Sequence, residues 1–182
     1  MFFKSLIFLL LFVNLNNVFA DTEKKKYFDK KTDLILNSFL PDYKFIGKAK
    51  YKYLFWDIYD ASLVSETGDF DNKKFALILN YNKKISKESV IEETINELKK
   101  QRQYDEDEIK DLNMLLNNTF KNIEVNDTFI AIKQNKFAMF YFKGEKVLET
   151  EDQDFINVFF NIWLRENSQD PEFTKTLLGK NS

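Results

Sequence analysis

The chain contains no cysteine and no histidine among its 182 residues. Without cysteine it can form no disulfide, no thiol nucleophile and no cysteine-ligated metal site. Without histidine it can have no Ser-His-Asp triad, no histidine general base and no histidine-ligated metal. Any acid–base chemistry would therefore fall to Asp, Glu, Lys or Tyr, and we expect neither a cofactor nor a metal.

Charge of one sign is not in excess, since 27 Lys and Arg stand against 29 Asp and Glu, for a formal net charge of −2. This near balance gives no electrostatic footprint for nucleic acid, so we expect no nucleic-acid partner. Aromatic residues are abundant, with 20 Phe and 8 Tyr. These counts suggest a core built on rings, but the richness in Lys, Asn, Ile and Phe also fits the codon bias of an AT-rich genome, and we give that interpretation the larger weight.

Residues 1–20 have the three-part layout of a secretory signal peptide. Lys4 gives a positive start, an apolar run follows, and Val18 and Ala20 stand at positions −3 and −1 of a cleavage site. An uncleaved anchor is the alternative, but Asn14 and its neighbours leave the run too short to span about 30 Å of hydrocarbon. We expect cleavage after Ala20, a periplasmic or secreted protein, and no membrane span after cleavage.

The rest of the chain is the size of one domain and can bury a core without disulfides. We assign residues 21–41 to a polar lead-in and residues 42–180 to the domain. Residues 43–65 have the composition of a strand but exceed a single strand's usual length, which predicts a hairpin or bulge near Tyr53-Leu54. The continuous apolar run in residues 75–81 predicts a strand covered on both faces. Further strands are expected over residues 128–133, 136–142 and 147–148.

Apolar residues spaced by three and four predict helices elsewhere. The first begins at Ser86, or at Ser89 in a capping box with Glu92, and extends to about residue 103. The other helices are expected to begin at Asp105, Asp152 and Asp170-Pro171. The order is strands, two helices, strands, two helices, which predicts an α+β fold with a mainly antiparallel sheet and helices on one face.

Four segments share their motifs with one family. Residues 45–63 run from a Gly-x-Ala strand into a Tyr-Asp-Ala-x-Leu strand, and residues 75–81 read Phe-Ala-Leu-x-Leu-x-Tyr. Residues 152–164 form an aromatic helix, and residues 171–179 run from Pro to Leu-Leu-Gly. In this order the segments resemble the bacterial chalcone isomerase-like family. The resemblance implies the chalcone isomerase open-faced β-sandwich, with helices packed on one sheet face.

The resemblance implies one enzymatic reaction, the closure of a flavanone ring. Plant chalcone isomerases use an Arg and a Thr on the first long hairpin, with a Tyr and an Asn on the first helix, to hold a phenolate and stabilise an enolate. The corresponding positions here hold Tyr51 or Lys52, then Leu54, Ser86 and Glu93. Three of the four roles are lost or changed, so we assign no catalytic residue and do not expect flavanone formation.

The resemblance also implies binding, because the same fold includes plant fatty-acid-binding relatives that hold the carboxylate with an Arg and a Tyr. We therefore expect a small amphiphilic, fatty acid-like ligand in a cleft between sheet and helices. Candidates for the apolar lining are Tyr51, Tyr53, Phe55, Trp56 and Tyr59. Candidates for the polar anchor are Lys50, Lys52, Tyr59, Tyr81 and Arg102.

Three functions are compatible with the sequence, and we favour an exported, non-catalytic binder of a fatty acid or similar amphiphile. The second is an intramolecular lyase or isomerase for a small unsaturated substrate, using Tyr59, Lys52 and Glu93. The third is an envelope interaction protein without a small ligand, which predicts a filled cleft and an exposed apolar patch elsewhere. The sequence does not predict the oligomeric state.

Overall fold

A computed structural model describes residues 27–180, so the expected signal peptide and its cleavage after Ala20 lie outside the described residues. The described chain has five helices and six strands. In chain order they are α1 (Lys30–Phe39), β1 (Lys44–Tyr53), β2 (Trp56–Ser65), β3 (Lys74–Tyr81), α2 (Lys87–Lys99), α3 (Glu106–Thr119), β4 (Thr128–Gln134), β5 (Phe137–Phe142), β6 (Glu145–Thr150), α4 (Gln153–Leu164) and α5 (Pro171–Leu177).

The six strands form one sheet in the order β1-β2-β3-β4-β5-β6, and every neighbouring pair is antiparallel. The hairpin expected near Tyr53-Leu54 is present, because Tyr53 pairs with Trp56 across the turn. A register shift between Tyr51 and Lys52 places a bulge just before that turn. The α+β fold class with an antiparallel open sheet is confirmed.

One face of the sheet is covered by α2 to α5 through a core rich in phenylalanine. Phe75 of β3 meets Phe160 of α4 edge-on, with ring centroids 4.8 Å apart. Phe140 of β5 meets Phe159 of α4 in the same way at 4.9 Å. Edge-to-face contact is a favourable geometry for aromatic pairs, so many of the abundant phenylalanines contribute to the core and not only to the composition.

The other face is covered by α1, which corrects the expectation that all helices pack on one face. Leu36 and Leu40, in α1 and at its C-cap, are fully buried against Ile78 and Ile130 of the sheet. This helix lies within the segment that the sequence assigned to a polar lead-in. Its N-cap is Asp29, whose carboxylate accepts hydrogen bonds from two backbone N–H groups of the first turn. The cover that the apolar run of β3 predicts on both faces is present.

The remaining helix starts agree with the sequence in type and position. Ser86 is the N-cap of α2, and its hydroxyl accepts a hydrogen bond from the Ser89 backbone, so the alternative start at Ser89 is wrong. Asp105 and Glu108 form a reciprocal capping box at the start of α3. Within residues 27–180, no helix has the length and apolar character needed to cross a membrane. The same residues contain no cluster of three or more metal-ligating side chains.

Candidate ligand-binding site

A cavity of about 370 Å³ lies between the β1–β3 side of the sheet and helices α2, α4 and α5. Its volume is within the range of about 300–1,000 Å³ that is typical of small-molecule sites. It lies at the end of the sheet where β1, β2 and β3 bring their aromatic residues together. The principal lining residues are Tyr51, Tyr59, Tyr81, Glu93, Trp163 and Phe173.

Three tyrosines form the sheet wall of this cavity. Tyr51 lies opposite Tyr59 in the β1–β2 pairing, and Tyr59 lies opposite Tyr81 in the β2–β3 pairing. Directly opposed residues share one face of a sheet, which explains why the three rings stand side by side. The rings of Tyr51 and Tyr59 are stacked at 5.0 Å, and those of Tyr59 and Tyr81 meet edge-on at 5.7 Å. Phe173 of α5 closes the row at 6.0 Å from Tyr51.

The hydroxyls of these tyrosines supply hydrogen-bond donors. The indole Nε1 of Trp163 donates to the Tyr59 hydroxyl oxygen at 2.9 Å, which leaves the Tyr59 proton available. Tyr81 is only 6% exposed, and no described residue forms a hydrogen bond with its hydroxyl. Burial raises the pKa of the Tyr59 and Tyr81 phenols well above their ordinary value. Both groups therefore stay protonated and can donate to an acceptor in the cavity.

The helical wall carries carboxylates. Glu97 of α2 is almost fully buried, and its two oxygens lie 2.5 Å from Lys100 Nζ and 3.3 Å from Arg165 Nη2. Glu93 and Asp170 also line the cavity, whereas none of the described lining residues is Lys or Arg. The pKa of Tyr51 is raised first by burial and then by the negative charges of these three carboxylates. The nearby cations are thus already paired with Glu97, and the cavity itself is acidic.

The structure brings together two of the five predicted anchor residues, Tyr59 and Tyr81. Lys50 and Lys52 do not line the cavity, and both form ion pairs with Asp57, at 2.9 and 3.6 Å. The alternation along β1 explains this placement, because Tyr51 faces the cavity and its lysine neighbours therefore face away. Ligand binding by Tyr59 and Tyr81 stays a prediction.

Arg102, the fifth predicted anchor, also lies outside the cavity lining. Its Nη2 is 2.9 Å from Glu108 Oε1, and its guanidinium carbon lies 3.7 Å from the centre of the Tyr104 ring. The residue follows the C-terminus of α2, and its partners come from the connection to α3 and that helix's first turn. Arg102 is therefore not part of this cavity, and ligand binding by Arg102 stays a prediction.

The predicted apolar lining is right for Tyr51, Tyr53 and Tyr59, which border the cavity. It is wrong for Phe55 and Trp56, which are 95% and 56% exposed at the hairpin turn.

Several lining residues were not predicted from the sequence. Trp163 lies in the segment that was expected only to form an aromatic helix, Asp170 was expected only as a helix start, and Glu97 and Phe173 carried no distinguishing pattern. They reach the cavity from α2, α4 and α5, whose packing on the sheet brings together residues far apart in sequence.

The residues proposed for a lyase or isomerase do not converge. Tyr59 and Glu93 line the cavity, but Lys52 is paired with Asp57 outside it. At the positions that correspond to the plant catalytic residues, Leu54 is 74% exposed in the turn and Ser86 caps α2. The cavity therefore lacks the cation that this mechanism required, and the proposal built on these three residues fails.

Comparison with known proteins bears on the fold and the family. The family model described as chalcone isomerase-like matches residues 47–179. No curated protein sequence was found to match the chain. Among solved structures, the chain is similar to a fatty-acid binding protein of Arabidopsis thaliana (AtFAP1), with 16% identity and a TM-score of 0.57, over 76% of this chain and 88% of that one. That likeness shows a shared fold, and the match over more than half of the sequence shows that the chain belongs to the chalcone isomerase-like family.

Proposed function

We propose that the protein binds one small amphiphile of the fatty-acid kind in this cavity and does not convert it chemically. The observation that carries the proposal is the open, aromatic-walled cavity with two protonated phenols, Tyr59 and Tyr81, whose donor capacity the described protein does not use. An apolar cavity with a few converging polar groups is the usual form of a site for such a ligand. The fatty-acid binding protein of the same fold supports the ligand class.

The charges around the cavity favour a head group without negative charge. A carboxylate bound here would face Glu93 and Asp170, while Arg165 and Lys100 are already engaged by Glu97. Two phenol O–H groups can donate to a carbonyl or hydroxyl oxygen without any ionic partner. The preferred ligand is therefore a protonated fatty acid, a fatty alcohol or an ester, and the ionised carboxylate binds more weakly.

We also propose that binding takes place outside the cytoplasm, in the periplasm or after secretion. The support is the layout of residues 1–20, with Lys4, the apolar run and Ala20 at the expected cleavage position. Mass spectrometry of the protein isolated from its native cell tests this, because cleavage predicts a mature N-terminus at Asp21. A mature chain that still begins at Met1 would overturn the assignment.

The ligand itself can be recovered from the protein. The purified chain from Asp21 is extracted with organic solvent, and the extract is analysed by mass spectrometry beside a mock extract. We expect one class of amphiphile at a constant ratio to protein, and displacement of a fluorescent fatty alcohol by added fatty alcohol. Reproducibly empty protein that also fails to bind the fluorescent probe would rule out the proposal.

A cavity-blocking variant tests whether the ligand binds in this cavity. Thr94 is buried in α2 and lines the cavity, so Thr94→Phe fills the space with a ring. Asn96→Phe on the exposed side of the same helix adds the same ring outside and is the matched control. We expect Thr94→Phe to abolish probe binding while the control retains it, with both variants folded by circular dichroism. Equal binding by the two variants would place the ligand elsewhere.

A further inference from the structure

The turn between β1 and β2 exposes four consecutive large apolar residues, which we call the hairpin tip (Tyr53 to Trp56). The exposed fractions are 59% for Tyr53, 74% for Leu54, 95% for Phe55 and 56% for Trp56. Single exposed apolar residues are ordinary, but a contiguous exposed cluster marks an interaction surface. We therefore expect the hairpin tip to be covered by a binding partner.

Folding of the domain does not account for the tip's composition. Leu54 adopts a φ of 53°, in the left-handed region that favours Gly or Asn, and its side chain gains no burial in return. Tyr53 and Trp56 are the last paired residues of the hairpin, so the two residues between them stand beyond the sheet. A strained, exposed leucine beside an exposed phenylalanine costs folding stability, which points to a benefit outside the folded monomer.

The charges beside the tip fit the interface of a lipid bilayer. Lys83 Nζ lies 4.1 Å from the centre of the Trp56 ring, and Lys52 is 62% exposed just before the turn. No acidic residue lies within the tip, and Asp57, which follows it in sequence, is paired with Lys50 at 2.9 Å and with Lys52 at 3.6 Å. Trp and Tyr favour the headgroup level of a membrane, and lysines reach past them to lipid phosphates. The apolar pair at the very end of the turn would then enter the acyl region.

We propose that the hairpin tip inserts into the interfacial region of a lipid bilayer that contains anionic lipid. Tyr53 belongs both to the tip and to the cavity lining, so docking would hold the cavity against the membrane surface. An amphiphile could then pass between bilayer and cavity without crossing water. This inference goes beyond the proposed function, because membrane docking requires no bound ligand and is measured without one.

The test is binding to vesicles of phosphatidylcholine and phosphatidylglycerol. The chain from Asp21 includes every described element and lacks the apolar leader, which would bind lipid on its own. Leu54→Asn combined with Phe55→Ser removes the two most exposed apolar side chains, and Asn tolerates the left-handed backbone at residue 54. We expect wild type to co-sediment with the vesicles and the double variant to partition at least about tenfold less.

Met114→Asn is the matched control, because Met114 is 63% exposed on α3, a helix that packs near the far edge strand β6. This control should bind vesicles as wild type does, and urea unfolding should show the control as stable as wild type and the tip variant at least as stable. Failure of wild type to bind, or equal binding by the tip variant, overturns the proposal. The proposal is also overturned if wild type does not bind vesicles but forms a dimer in sedimentation velocity, while the tip variant is a monomer.

Discussion

The indole Nε1 of Trp163 donates a hydrogen bond of 2.9 Å to the hydroxyl oxygen of Tyr59, joining α4 to the central wall of the cavity. A donated bond from the indole occupies an acceptor site of the phenol and leaves its proton free. The pair therefore fixes the direction of the Tyr59 hydroxyl and presents its O–H group to the cavity. Helix α4 thus lines the cavity with Trp163 and also orients one of its donors through this hydrogen bond.

Replacing Trp163 by Phe should weaken ligand binding as well as the fold. Loss of one partly buried hydrogen bond costs about 1 kcal/mol of unfolding free energy, with a further loss from the smaller ring. Fatty alcohol affinity should fall in Trp163→Phe and in Tyr59→Phe, and the double variant should lose less than the sum of the two, because both act on one hydroxyl. Calorimetric titration of the four proteins checks this, and additive losses would contradict the coupling.

The buried ion pair between Glu97 and Arg165 predicts how removal of each charge changes the free energy of unfolding. Glu97 is 5% exposed, so Arg165→Met leaves a buried carboxylate with Lys100 as its remaining ion-pair partner among the described residues, and we expect the free energy of unfolding to fall by about 3 kcal/mol. Adding Glu97→Gln should restore part of that stability, because no buried charge then lacks its partner. Urea unfolding of the four members of this cycle gives the coupling. A double variant less stable than Arg165→Met alone would show that the charge of Glu97 is not the cause.

The buried phenol of Tyr81 predicts that the free energy of unfolding depends on pH above the neutral range. Burial raises its pKa in the folded protein, whereas the unfolded chain releases the proton near pH 10. The unfolded state then binds fewer protons, so the stability that Tyr81 provides is complete below about pH 10 and is lost as the pH rises further. Relative to Tyr81→Phe, wild type should lose up to about 1.4 kcal/mol per pH unit there. Denaturant unfolding at several pH values measures the difference, and parallel curves would contradict it.

Gly47 shows how closely α5 lies on β1. A Cβ at this position would collide with the backbone carbonyl oxygens of Thr176 and Leu177. Main-chain atoms cannot rotate away, so Gly47→Ala should destabilise the protein by about 1–3 kcal/mol through overpacking. Ala49→Gly, two residues along the same face of β1, is a control that creates space instead of a collision. A Gly47→Ala protein as stable as wild type would mean that α5 can shift freely.

The sequence predicted most of the fold because the relevant information is local. Alternation along residues 43–65, the Ser86 and Asp105 caps and the apolar run of β3 each depend on nearby residues. Helix α1 was missed although Ile35, Leu36, Phe39 and Leu40 stand at helical spacing, because its segment opens with charged residues and was assigned to a polar lead-in. The burial of Leu36 and Leu40 also depends on a sheet that forms later in the chain.

The site was harder to predict than the fold because its residues come together through contacts between distant parts of the sequence. Alternation separates Tyr51 from Lys50 and Lys52, but it does not say which set faces the helices. The lysines were selected for their charge, and the structure places that charge in ion pairs with Asp57. Trp163 meets Tyr59 across 104 residues of sequence, a contact that no local pattern encodes.

The acidic cavity predicts that a fatty acid binds better as its head group loses charge. If the bound form is protonated, the affinity for a fatty acid should fall about tenfold per pH unit above the ligand's carboxyl pKa, while a fatty alcohol of the same chain length shows no such change. Glu93→Gln removes one negative charge that faces the cavity. This variant should reduce the difference in affinity between fatty acid and fatty alcohol by about threefold, a modest effect because Glu93 is exposed. Glu92→Gln, next to it on α2 and absent from the lining, is the matched control. Calorimetric titration of both ligands between about pH 5 and 8 decides the matter. A fatty acid that binds more tightly than the alcohol at the upper end of this range would show that a cation, and not the tyrosine hydroxyls, holds the head group.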